Sequence, residues 1–458
     1  MRVHFIAIGG SAMHNLAIAL HKKGFEVTGS DDEVFEPSKS RLAAHGILPE
    51  TMGWDATCIT KEIDAVILGM HARKDNPELL KAQELGIRIY SYPEYIYEQS
   101  KEKIRVVIGG SHGKTSITAM VLHVLNYIGK DVDYMVGAQL EGFDTMVKLT
   151  DDAPIIVLEG DEYLSSPIDP SPKFLWYRPH VALISGIAWD HINVFPTFEE
   201  YVEQFKLFIE SIPESGSLVY CEVDQTVKNL VESVKRDIHK IPYATPSHKI
   251  TNGITYLKHN NEDVPLQVFG AHNLQNLNGA RKVLNEINVS DVKFYEAIQS
   301  FKGAAKRLEV IAQSETSIVF KDFAHSPSKL KATTTAVKAQ YPDRELIACM
   351  ELHTFSSLNK EFLQQYKGTM HAADKAIVYF NPHTLEHKKL PEITKEEVMQ
   401  AFNREDLVVM VDSERLQNYL KGLEWRFKNL LLMSSGNFNG IDLNDFGTSL
   451  LKKTEEEV

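Results

Sequence analysis

Val106-Val107-Ile108-Gly109-Gly110-Ser111-His112-Gly113-Lys114-Thr115-Ser116 is the stretch on which the reading of this chain turns. Its β-branched start reads as a buried strand. The strand runs into glycines, and Ile117–Ile128 then follows with a helical pattern. A strand, a glycine turn and a helix in that order wrap backbone N–H groups around a phosphate, and the helix N-terminus adds a favourable dipole. Lys114 then reaches the β- and γ-phosphates, and the Thr115 hydroxyl takes Mg²⁺. A full phosphate loop carries one more glycine, where Ile108 stands here, so the loop is a shortened GxxGKT. The simpler alternative, a glycine turn with a surface lysine, is disfavoured by the strand–loop–helix context.

Two further strands follow this loop in sequence. Ile155–Leu158 delivers Glu159, with Asp161 and Glu162 after it, and Val181–Ser185 leads to Trp189-Asp190-His191. Carboxylates just past a buried strand suit a hard Mg²⁺ ion. His191 is a candidate second ligand, although taken alone it reads as an interfacial histidine. Ligands of open α/β sheets sit at the carboxyl ends of strands, so Lys114, Glu159 and His191 are expected to converge.

The same alternation continues outward. Val3–Ile8, Phe25–Gly29, Ala65–Gly69 and Ile87–Ser91 read as strands, with a helix over Ala12–Lys23. Downstream come a helix over Phe198–Ile212, a helix over Asn273–Asn285, and strands at Ser317–Phe320 and Leu346–Glu351. The pattern is that of an α/β protein with parallel sheets. Polar breaks at Ser100–Lys103 and near Phe301–Ala305 divide the chain into segments 1–104, 105–303 and 304–458, each of domain size.

Composition narrows the function. With 49 basic and 62 acidic residues the net charge is −13, which argues against a broad grip on nucleic acid or an anionic membrane. Three scattered cysteines make neither a CxxC pattern nor a disulfide framework, as expected in a reducing cytoplasm. No apolar run approaches the roughly 20 residues of a membrane span. Phe5–Ile8 is flanked by His4, Gly9 and Gly10, so it reads as a first strand and turn rather than a targeting segment.

Seven motifs, in order, resemble the Mur ligases, the ATP-dependent amide-forming enzymes of peptidoglycan synthesis. They are Ile8-Gly9-Gly10-Ser11-Ala12-Met13, Gly110–Thr115, Glu159-Gly160-Asp161-Glu162, Asp190-His191, Gly270-Ala271-His272-Asn273-Leu274-Gln275-Asn276, Lys306-Arg307-Leu308-Glu309 and Asp322-Phe323-Ala324-His325-Ser326-Pro327. The resemblance implies three domains: a Rossmann-like UDP-binding domain, a P-loop ATPase and a Rossmann-like C-terminal domain that takes the amine. It implies ATP and Mg²⁺ as cofactors and UDP-N-acetylmuramate as acceptor. The acceptor carboxylate, a poor electrophile, becomes an acyl phosphate that the amine attacks, so catalysis is mainly positioning and charge neutralisation.

On the same resemblance, Gly110, Ser111, His112, Gly113, Lys114, Thr115 and Ser116 surround ATP, with Asn273, Asn276, Arg307 and Asp322. Lys114, Glu159, His191 and Arg307 form the catalytic group, and Thr115, Glu159 and His191 hold the metal. Gly9, Gly10, Ser11, Met13, Ser30, Asp31, His71 and Arg73 face the UDP-sugar, although the family's first glycine and a later one are Ala7 and Ala12 here. His325 and His353 are candidates for the amine side. Each has a plainer alternative: an N-cap for Asn273, a surface ion pair for Arg307, a turn-opening role for His325.

Two specificities fit: addition of L-alanine, and addition of the tripeptide L-alanyl-γ-D-glutamyl-meso-diaminopimelate in peptidoglycan recycling. Glu159 and His191 stand 32 positions apart, and the stretch Pro172–Pro179, like the ending Met433–Gly440, resembles the tripeptide branch. The expectation is therefore the tripeptide, with L-alanine as the alternative. Leu352-His353-Thr354-Phe355-Ser356 departs from both branches, which carry a proline and an arginine there. Lys206 lies 15 positions after His191, where some members carry a carbamylated lysine for a second Mg²⁺; the alternative is an amphipathic surface lysine. Competing classes are a folylpolyglutamate-synthase-like ligase, which lacks the first segment, a non-catalytic UDP-sugar regulator, and a Rossmann dehydrogenase, for which Gly9–His14 lacks a proper GxGxxG.

Overall fold

The computed structural model describes residues 1–189, 194–304 and 308–456. It is an α/β fold with three main sheets in successive stretches of chain. Two compact units are distinguished: Met1–Ala244 with Leu277–Ala297, and Thr245–Asn276 with Ile298–Val458.

In the first unit, β1 (Arg2–Ile6), β2 (Glu26–Ser30), β3 (Ala65–Leu68) and β4 (Ile89–Ser91) form a wholly parallel sheet in the order β2-β1-β3-β4. The helix Ser11–Lys22 follows β1 and buries Leu16, Ala17 and Leu20. The larger sheet contains β5 (Ile104–Gly109), β6 (Asp133–Met135), β7 (Val147–Lys148) and β8 (Ile155–Glu159). A small antiparallel hairpin, β9 (Leu164–Ser166) and β10 (Asp169–Pro172), stands apart from it. The sheet is completed by β11 (Val181–Ile184), β12 (Ser217–Cys221) and β13 (His239–Tyr243), in the order β13-β12-β11-β5-β8-β6-β7. Val106, Val107 and Ile108 are fully buried, each adding roughly 1.5–3 kcal/mol through burial. Because β5 lies between β11 and β8, the residues after all three strands meet at one edge.

In the second unit, β14 (His248–Thr251), β15 (Ile254–His259) and β16 (Glu262–Leu266) form an antiparallel sheet. A six-stranded sheet is built from β17 (Glu309–Gln313), β18 (Ile318–Asp322), β19 (Glu345–Leu352), β20 (Lys375–Phe380), β21 (Val408–Met410) and β22 (Lys428–Met433). Its order is β17-β18-β22-β19-β20-β21, parallel except at β17–β18. The helix Ala271–Glu286 contributes residues to both units.

Most expected elements appear within two residues of their predicted ends. The phosphate-loop helix is the exception. It spans Lys114–Tyr127, because Gly113 caps it in the left-handed conformation and the Lys-Thr-Ser turn is already helical. At Ala7 the chain adopts φ +68°, the region glycine favours, while its N–H bonds Ser30 O at 2.9 Å; for an alanine that conformation costs about 1–2 kcal/mol.

The polar break before β5 is rigidly held. Arg105 donates to the carbonyls of Ser100, Lys101, Lys103 and Tyr177. Lys103 Nζ donates to Asp133 Oδ2 at 2.7 Å and to the carbonyls of Thr150 and Ala153. Asp133 is fully buried and also accepts from the Thr150 amide and hydroxyl. Breaking a buried pair from one side strands the remaining charge. Asp133→Ala is therefore expected to cost about 3–5 kcal/mol in urea unfolding, and Asp133→Asn, which keeps the hydrogen bonds to Thr150, less. A loss below about 1 kcal/mol for Asp133→Ala would contradict this.

Candidate active site

The loop Gly110–Gly113 is clamped by the end of β11. Ser111 N donates to Gly186 O at 2.9 Å, and Ser185 Oγ donates to the His112 carbonyl. The helix that begins at Lys114 turns Thr115 toward β8, where its Oγ1 donates to Glu159 Oε1 at 2.8 Å. The other carboxylate oxygen, Oε2, accepts from Gly137 N at 2.7 Å. Both Thr115 and Glu159 are buried. A hydroxyl and a carboxylate in contact beside a phosphate-type loop form a hard-oxygen donor set that fits Mg²⁺.

Lys114 Nζ lies 2.7 Å from Gly110 O and 2.5 Å from Glu162 Oε2. Burial pulls the ammonium down, but the carboxylates of Glu162, Asp161 and Glu159 outweigh it, so its pKa stands above the ordinary lysine value. Glu162 is itself buried and accepts from Tyr201 OH at 2.9 Å, and that hydroxyl meets Ser111 Oγ at 2.8 Å. Asp161 and Glu162 follow Glu159 in the chain. In the structure each meets a lysine: Asp161 Oδ2 accepts from Lys173 at 2.6 Å, and Glu162 from Lys114. Tyr201 was not anticipated. Its signal is an apolar stripe at Tyr201, Phe205 and Phe208 on the helix Phe198–Glu210, which buries a phenol that must find a partner.

His191 and Arg307 lie outside the described residues. Lys206 is 40% exposed and its Nζ is 3.0 Å from Glu203. The Glu203 hydrogen bond raises its pKa, which opposes the neutral amine a carbamate requires. Lys206→Ala is accordingly expected to retain turnover within about 3-fold, without dependence on bicarbonate, since surface substitutions of this kind are nearly neutral. A loss above about 10-fold in the variant, together with wild-type turnover that depends on bicarbonate, would point to the carbamate instead.

On the first sheet, the Gly9 amide donates to Asp31 Oδ2 at 2.7 Å. Burial raises the Asp31 carboxyl; the Gly9 amide partly offsets that, and Asp32 adds to it. A Cβ on Gly9 would fall 2.9 Å from Asp31 Oδ2, so glycine is required for the approach. Ser30 ends β2 beside Asp31, and its carbonyl accepts from Ala7 and Ile8. Gly10 caps the helix that Ser11 opens, with no side-chain cap. Met13 packs into the core, so its backbone amide, not its side chain, faces the helix end. His71 is exposed, and Arg73 forms a two-pronged pair with Asp75, 2.9 Å on each side.

In the second unit, Asn273 is inside its helix and donates to Phe269 O at 2.9 Å, so it is not an N-cap; Asn276, three positions on, is buried. Asp322 accepts from the amides of Leu308 and Ala324, both at 2.6 Å. His325 Nδ1 meets Phe323 O at 2.8 Å, and the helix Pro327–Gln340 begins two residues later. His353 follows β19, with Nδ1 3.9 Å from Glu351 Oε1. Glu351 is buried and accepts from Ser434 Oγ and from Phe438 N. Sequence alone marks Glu351 as the end of a strand; a lone carboxylate in the apolar run Leu346–Leu352 is the signal of its buried role. A cavity of about 310 Å³, lined by Asp322, Phe323, Ser434, Gly436 and Asn437, opens at this carboxyl edge.

Residues 2–103 match the family model described as Mur ligase family, catalytic domain, and residues 108–284 match the Mur ligase middle domain. A UDP-N-acetylmuramate–L-alanine ligase of Clostridium kluyveri is 32% identical over 378 residues, which cover 79% of this chain and 80% of that one. The Thermotoga maritima UDP-N-acetylmuramate–alanine ligase MurC superposes with a TM-score of 0.70 at 18% identity, covering both chains fully. A murein peptide ligase, Mpl, of Psychrobacter arcticus gives 0.64 at 22% identity, covering 100% of this chain and 99% of that one. The two superpositions concern the fold. Among the described residues no helix is long and apolar enough to cross a membrane. Matches over two successive domains and a relative at this identity agree with the phosphate loop and its glutamate: the chain belongs to the Mur ligase family and is an ATP-dependent, amide-bond-forming ligase.

Proposed function

We propose that this enzyme joins L-alanine to the carboxylate of UDP-N-acetylmuramate through an acyl phosphate made from ATP, in the cytoplasm. The observation that carries the chemistry is the Thr115–Glu159 contact beside Lys114. The name of the Clostridium kluyveri relative supports L-alanine. In this reading residues 1–104 take the UDP-sugar at Gly9–Met13 and Ser30–Asp31, residues 105–303 take ATP, and residues 304–458 take the amine. Thr115 and Glu159 would hold Mg²⁺, with His191; the ion would neutralise phosphate charge. Lys114, kept charged by Glu162, steadies the phosphoryl group. Asn273, Asn276, Arg307 and Asp322 complete the nucleotide contacts, and His325 and His353 border the amine.

A second reading replaces L-alanine by the tripeptide. The sequence likeness of Pro172–Pro179 to the tripeptide branch supports it; in that stretch Trp176 Nε1 donates to Asp169 at 2.8 Å from the short helix Lys173–Trp176. The deciding experiment is phosphate release from Mg-ATP and UDP-N-acetylmuramate with each amine. Turnover with L-alanine supports the first reading, and turnover with the tripeptide alone replaces it by the second. Silence with both rejects the acceptor–amine assignment.

A further inference from the structure

A further constellation lies on the face of the first sheet covered by the helix Pro77–Glu84, where Cys58 also hydrogen-bonds Ser30 at the end of β2. His4 in β1, Cys58 in the turn Ala56–Cys58 and Glu78 in that helix converge there. His4 Nε2 is 3.3 Å from Glu78 Oε2, Cys58 Sγ is 3.9 Å from His4 Nε2, and Cys58 Sγ is 3.8 Å from Glu78 Oε1. Zinc bonds of about 2.0–2.1 Å to nitrogen, 2.3 Å to sulfur and 2.0–2.2 Å to oxygen give tetrahedral edges of roughly 3.4–3.6 Å. The three separations already approach those edges. The other ring nitrogen of His4 meets Thr28 Oγ1 at 2.9 Å, which fixes the imidazole with Nε2 toward the group. Outer contacts of that kind orient metal-binding histidines.

We propose that His4, Cys58 and Glu78 bind one divalent ion of the zinc class. Charge supports this. Glu78 is fully buried, with the Asp55 amide donating to it at 2.8 Å, and a buried carboxylate is costly unless its charge is balanced. A thiolate, a carboxylate and a neutral imidazole around a doubly charged ion sum to zero. Burial, with the Glu78 charge, pushes the Cys58 thiol up to about 11; a bound cation reverses that field. On binding, the sulfur–metal bond forms and the thiol proton leaves to solvent. A thiolate with an imidazole selects zinc over the hard Mg²⁺ that Thr115 and Glu159 suit. Cys58 is the exposed member, so the fourth position opens to water. The ion would pin the turn after Asp55, which lies in the long connection between β2 and β3, onto β1.

The test uses the full-length protein stripped by a chelator and titrated with Co²⁺ and then Zn²⁺, without nucleotide. The expected result is one equivalent bound, a thiolate-to-cobalt charge-transfer band that Zn²⁺ displaces, and proton release. Cys58→Ser should abolish the band and weaken Zn²⁺ binding by roughly 100-fold or more, while Cys221→Ser keeps both. Cys58 sits at the exposed rim, so its variant should fold, and circular dichroism checks this. The proposal is overturned by absence of the band in the wild type, by its persistence in Cys58→Ser, or by Zn²⁺ affinity unchanged in that variant. His4→Gln gives a second reading: a wild-type spectrum there also rejects it.

Discussion

Replacing Lys114 by methionine is expected to lower substrate-dependent phosphate release by about 10³-fold and to destabilise the chain at the same time. The first effect follows from removing a side-chain cation that the sequence aims at the transferring phosphoryl group; losses of this size accompany removal of a group that stabilises developing charge. The second follows from Glu162. Its side chain is 1% exposed and Lys114's is 14%, so methionine leaves an uncompensated carboxylate, a loss of about 3–5 kcal/mol. The two effects separate in a double variant. Lys114→Met with Glu162→Gln removes both charges and should recover most of the stability while remaining inactive. Near-normal turnover in either variant would mean that Lys114 only neutralises Glu162. The pH dependence adds a check. The folded pKa of Lys114 is raised, so the pair's stabilisation is complete below the unfolded lysine value of about 10.4 and is lost only as pH climbs through the higher folded value. Lys114 should therefore contribute no titration to activity between roughly pH 6 and 9.

The alternation of strands and helices was legible because its period needs only local sequence. Val106–Ile108 and Ile155–Leu158 are apolar on both faces, as parallel strands covered by helices must be. The convergence of Thr115 with Glu159 was legible too, since the loop after β5 and the end of β8 lie at the same carboxyl edge of the sheet. Partnerships across the chain were not. Nothing local says that Glu162 binds Lys114, or that Tyr201 and Ser111, 90 positions apart, share a hydroxyl contact. Nor does local sequence distinguish an arginine that awaits a ligand from Arg73, which meets Asp75 two positions on. Charge pairs were harder still: Lys103 read as part of a polar break, yet it is buried by Asp133 and two carbonyls. Burial of that kind is fixed by tertiary packing, to which a window of sequence is blind.

Gly110→Ala should be the most damaging small substitution in the phosphate loop. Gly110 has φ +131°, a conformation that L side chains rarely adopt, and holding alanine there costs about 1–3 kcal/mol. Space is also missing. A Cβ would overlap Ser185 Oγ and stand 2.9 Å from Ser185 N, and forcing such an atom into a packed site adds about 1–3 kcal/mol. Gly113, at φ +78°, carries the left-handed cost of about 1–2 kcal/mol for alanine, so at Gly110 the close approach to Ser185 adds to a backbone cost of at least that size. The strain also reaches chemistry, because Gly110 O accepts from Lys114 and Ser185 anchors the His112 carbonyl. Gly110→Ala should thus lose roughly 2–6 kcal/mol in denaturant unfolding and lose protection by ATP against heat. Adding Ser185→Ala removes the hydroxyl overlap but neither the backbone contact nor the φ strain, so it should restore only part of the stability. Full recovery in that double variant would show that the hydroxyl clash, rather than the backbone conformation, makes glycine necessary at 110.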